Sequence, residues 1–346
     1  MIDKQRIKDA TLNMFKINMG LKTKEKALVV TDLLAYEEWI RKKSEKISEA
    51  IHRSLLSKAI SEIAFECFPE CTVNFYAYPS VGQDGKYPGK EVEERMGEAD
   101  VVIAITTYSL SHTQARAHAS NRGARIASMP QAIPEMFYSG GALYANYRKM
   151  KKEGEKIANL LTSVGKAMIK TKVGTELTFS LKDRKGRYDS GLFLNEGEWG
   201  NLPAGEAYIA PIEGTADGRL VVERGWYPDL VEDIVLHFKE GSVFKIDGGA
   251  NVREELENLL FSKKDEEPCV SRRNLAELGI GTNPYAKRID NPLEAEKIKG
   301  TIHIGIGDNS HIGGDVSTDL HIDFVLSHPT LQLDNYTVIE DGEFLI

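Results

Sequence analysis

The chain has 346 residues, 41% of them hydrophobic and 28% charged, with a formal net charge of −8. That length predicts two or three domains, each able to bury its own core. An acidic chain without a basic stripe argues against a nucleic-acid binder, and three cysteines (Cys67, Cys71 and Cys269) do not make a secreted disulfide framework.

The N-terminal segment MIDKQRIKDATLNMFKINMG is amphipathic and lacks the apolar core and cleavage site of a signal peptide. No apolar run approaches the ~18 residues that would span a bilayer, so a cytoplasmic chain without a membrane partner is expected. Residues 3–18 read as a helix. Ala27 to Asp32 is a short apolar run of the kind that forms a buried parallel strand. A helix is expected over 45–67, a strand over 73–78, a helix over 88–97, a strand over 101–105, a helix over 114–122 and a strand over 125–128. Alternating strands and helices predict a parallel α/β, Rossmann-like domain. Its first strand is not followed by GxGxxG, so no dinucleotide is expected there. The loop Thr106 to Thr113 reads first as a turn capping the next helix, and second as a substrate-positioning loop at the edge where such sheets bind ligands.

Residues 144–169 read as one long helix leading out of this domain. From Thr175 the character changes to short alternating strands punctuated by glycine: 177–181, 208–211, 218–222, 234–238 and 242–246. Helices are expected over 250–263 and near 271–278. The predicted organisation is an α/β protein with an N-terminal domain and linking helix at 1–170 and a β-rich α+β metal-binding domain at 171–346.

The stretch Thr301 to Leu326, TIHIGIGDNSHIGGDVSTDLHIDFVL, carries the chemistry. It reads as two strands around a glycine-rich loop. Ile302, Ile304 and Ile306 alternate with His303 and glycines; Ile322 and Phe324 alternate with His321 and Asp323. Period two places His321 and Asp323 on one face and His303 on the matching face of its own strand. Two imidazoles and a carboxylate on half-buried strands predict a metal site, because burying them unpaired is costly. Upstream, Glu206 in a proline- and glycine-bounded segment and Glu277 among apolar and glycine residues are isolated acids. Each, taken singly, reads first as a surface glutamate at a strand or helix end.

Together NLPAGEAYIAPIEGTADG, ELGIGTNP and the 301–326 stretch resemble the thermophilic metalloaminopeptidases, the leucyl aminopeptidase-like aminopeptidase T and S group. The resemblance covers residues 175–346 and implies a homodimer. It also implies a site in which Glu206, Glu277, His303, His321 and Asp323 hold two divalent ions, zinc, cobalt or manganese. The activity it implies is a hydrolase that releases N-terminal residues from peptide substrates, with Glu277 as the catalytic proton relay. The sequence departs from that family at Gly307-Asp308-Asn309-Ser310-His311, where a tyrosine is expected and none occurs; Ser310 and His311 stand in its place. A second reading comes from a related branch of the same fold, the 2,5-dihydroxypyridine dioxygenases. There one Fe(II) would be held by His303, His321 and Asp323, and Glu206 and Glu277 would not be required as ligands.

Overall fold

A computed structural model describes residues 2–263 and 265–346. The chain forms two compact units, one made of Met1–Arg148 with Gly191–Ala204, the other of Lys149–Ser190 with Gly205–Ile346. It is the mixed α/β protein expected, with one parallel and two antiparallel sheets. No helix among the described residues is long and apolar enough to cross a membrane.

In the first unit the strands lie in the order Thr72–Pro79, Lys26–Leu33, Val101–Ala104, Arg125–Ser128 and Trp199–Asn201, every pair parallel. Lys26–Leu33 is buried at six successive positions, which only a strand covered on both faces can be. Its residues Leu28 and Val30 pack with Val102, Ala104 and Ile126 into the unit's core. Helix Ser44–Cys67 carries the chain from the first strand to the second. The loop 106–113 ends in the cap of helix Gln114–Asn121: the Thr113 hydroxyl accepts from the Arg116 amide at 3.1 Å.

The second unit stacks two antiparallel sheets around one core. Eight strands run in the order Ser242–Gly248, Ile234–Lys239, Asp217–Val222, Glu176–Ser180, Lys166–Lys170, Thr330–Leu333, Tyr336–Glu340 and Glu343–Phe344. The other sheet, here the site sheet, is ordered His321–Leu326, Ile302–Gly307, Leu275–Gly281, Glu206–Ile209 and Arg187–Asp189. Ile302, Ile304, Ile306, Leu278, Ile280 and Phe324 share the core with Ile169, Leu177, Phe179 and Leu236 of the larger sheet. Each such side chain stabilises the fold by roughly 1.5–3 kcal/mol relative to exposure, so the site sheet's apolar face is what fixes its register.

Two expected helices differ from what forms. The helix Tyr147–Ser163 stops before Gly165, and Lys166–Lys170 is a strand that buries Ala167 and Ile169. The helix expected near 271–278 is a short turn at Cys269–Arg272 followed by the strand Leu275–Gly281, buried along its whole length. Ala-Glu-Leu favours a helix locally, but Leu278 and Ile280 alternating with Gly279 and Gly281 follow a period of two, and burial between neighbouring strands decides it.

Candidate metal centre

Cross-strand register builds the site row by row. Glu277, Gly305 and Asp323 stand side by side on three adjacent strands, and the next row holds Tyr208, Gly279 and His303. Beyond these, Glu206 pairs with Gly281 and His321 with Gly307. Every ligand-type side chain therefore faces a glycine across the strand. The glycines are spatially required. A Cβ on Gly279 would sit 1.9 Å from His303 Nε2, and one on Gly305 would sit 2.9 Å from Glu277 Cβ and 3.0 Å from Asp323 Oδ1. A β-bulge between Leu275 and Glu277 turns Leu275 opposite Ile306, on the core side, and leaves Glu277 on the site face.

All five residues singled out from the sequence meet here. His303 Nε2 lies 3.4 Å from Glu277 Oε1 and 3.5 Å from Glu206 Oε2. His321 Nε2 lies 3.3 Å from Glu277 Oε2 and 3.2 Å from Asp323 Oδ1. These are long for charge-assisted hydrogen bonds, which run about 2.7–2.9 Å. Each separation is close to that of neighbouring ligands on an ion, which stand roughly 3.0–3.4 Å apart when held about 2.1 Å from it; among the described residues the ligand atoms that all lie within 4.8 Å of one another are those of Glu277, His311 and His321. Among the described residues, His303 Nδ1 is a buried atom without a hydrogen-bond partner, and the buried Asp323 Oδ1 meets His321 Nε2 as an ion pair at 3.2 Å. His321 Nδ1 donates to the Asp308 carbonyl at 2.7 Å, which orients the ring and aims Nε2 at the cluster.

Electrostatics point the same way. Burial works against every charge in the cluster, yet His303 is raised to about 9 by Glu277 and Glu206, and His321 well above its ordinary value by Asp323 and Glu277. Burial would push Glu277 and Asp323 up; the imidazoles outweigh it and hold both below the usual carboxylate range. Without a cation, the two imidazolium groups supply the positive charge that the carboxylates need. A divalent ion would take over that role and displace the Nε2 protons. Glu206 differs: burial raises it to about 7 against the opposing pull of Lys297 and His303.

Two residues that sequence reasoning did not place there join the site, Tyr208 and Lys297, and His311, noted in the tyrosine's place, reaches it as well. His311, exposed in the loop after His303, brings one ligand atom to within 4.8 Å of those of Glu277 and His321. Tyr208 lies on the site face two residues after Glu206, a spacing that could have signalled it. Lys297, buried, donates to Glu206 Oε2 at 2.7 Å and to Glu296 Oε2 at 2.9 Å. It belongs to an irregular segment without periodicity, so no sequence signal marks it.

Fold and cluster together define a metal-binding α/β protein. The NicX family model, described as 2,5-dihydroxypyridine 5,6-dioxygenase, matches residues 76–346. This chain belongs to that family. The curated 2,5-dihydroxypyridine 5,6-dioxygenase of Pseudomonas putida KT2440 is 24% identical over 201 residues, 53% of this chain and 55% of that protein. The match thus spans about half the length of the curated relative. The solved 2,5-dihydroxypyridine dioxygenase of Pseudomonas putida KT2440 superposes with a TM-score of 0.71 at 18% identity, over 100% of this chain and 98% of that one. AmpT from Thermus thermophilus superposes with a TM-score of 0.62 at 14% identity, over 99% and 100%.

The aminopeptidase-like fold therefore holds, and the aminopeptidase function does not. Family membership and the curated relative overturn the expected hydrolase, with its protease chemistry and peptide substrates, in favour of a dioxygenase family. The physical reason is that ligand-type side chains on strands suit more than one metal chemistry, and a shared fold does not carry a shared reaction.

Proposed function

We propose that this chain is a ring-cleaving dioxygenase that uses a single Fe(II) and acts on a dihydroxylated pyridine. The observation that supports it most is the convergence of His303, His321 and Asp323 on one sheet face, within the segment that matches the NicX family. Two imidazoles and one carboxylate make the facial set of non-haem iron oxygenases. A ferrous ion held there would supply the one-electron chemistry by which dioxygen reacts with an aromatic ring. Glu277 stands between the two imidazoles, with one oxygen near each Nε2, the atoms that would face the ion. Glu206, raised to about 7, is the group suited to accept a ring-hydroxyl proton near neutral pH.

The test is oxygen consumption by the purified chain loaded anaerobically with Fe(II) and given 2,5-dihydroxypyridine. One dioxygen should be taken up per ring lost from the ultraviolet spectrum. The rate should rise with pH through about 7, because Glu206 must be ionised to act as a base. Glu206→Gln should flatten that limb and slow the reaction by about 10²–10⁴-fold. No oxygen uptake by a chain shown to hold iron would sink the reading.

A further inference from the structure

Lys297 is the buried charge that the proposed reaction leaves unexplained. Its side chain is 2% exposed, and its ammonium lies between Glu206 at 2.7 Å and Glu296 at 2.9 Å. Asp189 adds a third carboxylate to this side of the site: it is the cross-strand partner of Glu206 and acts electrostatically on Lys297. Glu206 Oε2 is in turn 3.5 Å from His303 Nε2. Two carboxylates in contact with one point, with a third acid and an imidazole next to one of them, are surroundings that suit a divalent cation. Here a lysine ammonium occupies that point.

The backbone holds it there. Gly281 lacks a side chain where the Ile298 carbonyl comes to 2.1 Å from its would-be Cβ, so the 297–298 segment lies directly against the site strand. The Asn283 amide donates to the Lys297 carbonyl at 2.8 Å, and the Lys299 amide to the Asn283 carbonyl at 3.2 Å. The side chain thus enters from a fixed base, and little freedom remains for the ammonium to withdraw.

We propose that Lys297 is a built-in cation that fills the Glu206 half of the cluster, excludes a second metal ion, and so restricts the centre to one ion on the His303–His321–Asp323 side. Glu206 is then a partner of Lys297, not a metal ligand, and stays available to move a proton. Lys297 is a positioning residue: it acts on the site through Glu206. This inference rests on the single-ion reading and goes beyond it by naming the group that enforces it.

Metal content decides it, independently of turnover. Demetallated chain is titrated with Mn(II), bound metal per chain is counted by elemental analysis, and electron paramagnetic resonance reports whether ions are isolated or spin-coupled. The native chain should bind one isolated ion. Lys297→Met, which keeps the aliphatic stem and removes the charge, should bind two, with the spectrum of a coupled pair. A folded Lys297→Met chain that still binds one ion overturns the role of Lys297 and leaves the single-ion reading intact. Two ions in the native chain overturn the single-ion reading itself. Should Lys297→Met fail to fold, the double variant Lys297→Met with Glu206→Gln removes both charges together. It should retain one ion; a fall in affinity beyond about tenfold, the size that losing a ligand or its partner gives, would make Glu206 a ligand and overturn the proposal.

Discussion

At the residue scale, the glycines of the site sheet are as specific as the ligands. Gly305 occupies the position between Glu277 and Asp323, and a Cβ there would also sit 3.1 Å from His321 Cε1. Its backbone needs no left-handed conformation, so alanine strains only the space above the sheet. Those neighbours belong to side chains of the candidate metal centre, and a shift of a few tenths of an ångström in each moves them apart. Gly305→Ala should therefore fold with the native circular dichroism spectrum and bind metal at least about tenfold more weakly, a loss of ~1.4 kcal/mol by calorimetric titration. Unchanged affinity would show that the glycine row is a packing accident. Gly279→Ala is the harsher change, since its Cβ would overlap the His303 ring.

At the element scale, the loop between the two histidine-bearing strands is held by a carboxylate from elsewhere. Glu213 accepts from Asn309 Nδ2 at 2.7 Å and from the Asp315 amide at 2.9 Å, and pairs with Arg184. Partial burial would push Glu213 up, but the Asp315 amide, Asn309 and Arg184 outweigh it and leave its carboxyl below the ordinary value. A depressed folded-state value means that this anchoring is fully present above about 4.3, the unfolded glutamate value, and is lost as pH falls through the folded one. Amide exchange of residues 309–318, corrected for intrinsic rates, should accelerate as pH drops below about 4, and Glu213→Gln should remove most of that dependence. Equal pH dependence in both chains would rule out Glu213 as the anchor. The strands flanking this loop were legible in the sequence, because isoleucine alternating with histidine and glycine has one reading on a sheet. The strand bearing Glu277 was not: its helix-favouring residues and its bulge hide the period of two until neighbouring strands impose it. Glu213 and Lys297 act through contacts between segments far apart in the chain, Glu213 with Asn309 and Lys297 with Glu206, which local patterning does not encode. The reaction was not legible either. The five ligand-type residues lie on one face of the site sheet, but such residues suit a hydrolytic and an oxidative metal centre alike.

At the scale of the whole molecule, every residue of the candidate metal centre and its surroundings belongs to one unit. Glu206, Glu277, His303, His321, Asp323 and Lys297 all fall within Lys149–Ser190 with Gly205–Ile346. A ligand stabilises what it binds in proportion to ln(1 + [L]/Kd), about 2.7 kcal/mol at a hundredfold excess over Kd. For a unit of this size that corresponds to an upward shift in melting temperature of roughly 5–10 °C. The three tryptophans allow the two units to be followed separately: Trp39 and Trp199 lie in the first, and Trp226 packs against the core of the second. In a chain with Trp39→Phe and Trp199→Phe, the fluorescence transition should move up on adding metal and return with a chelator. In a Trp226→Phe chain, the transition should stay where it is. Equal shifts in both chains would mean that the molecule unfolds as one cooperative body, and that the free energy of metal binding is distributed over the parallel sheet as well as the sheet that carries the ligands.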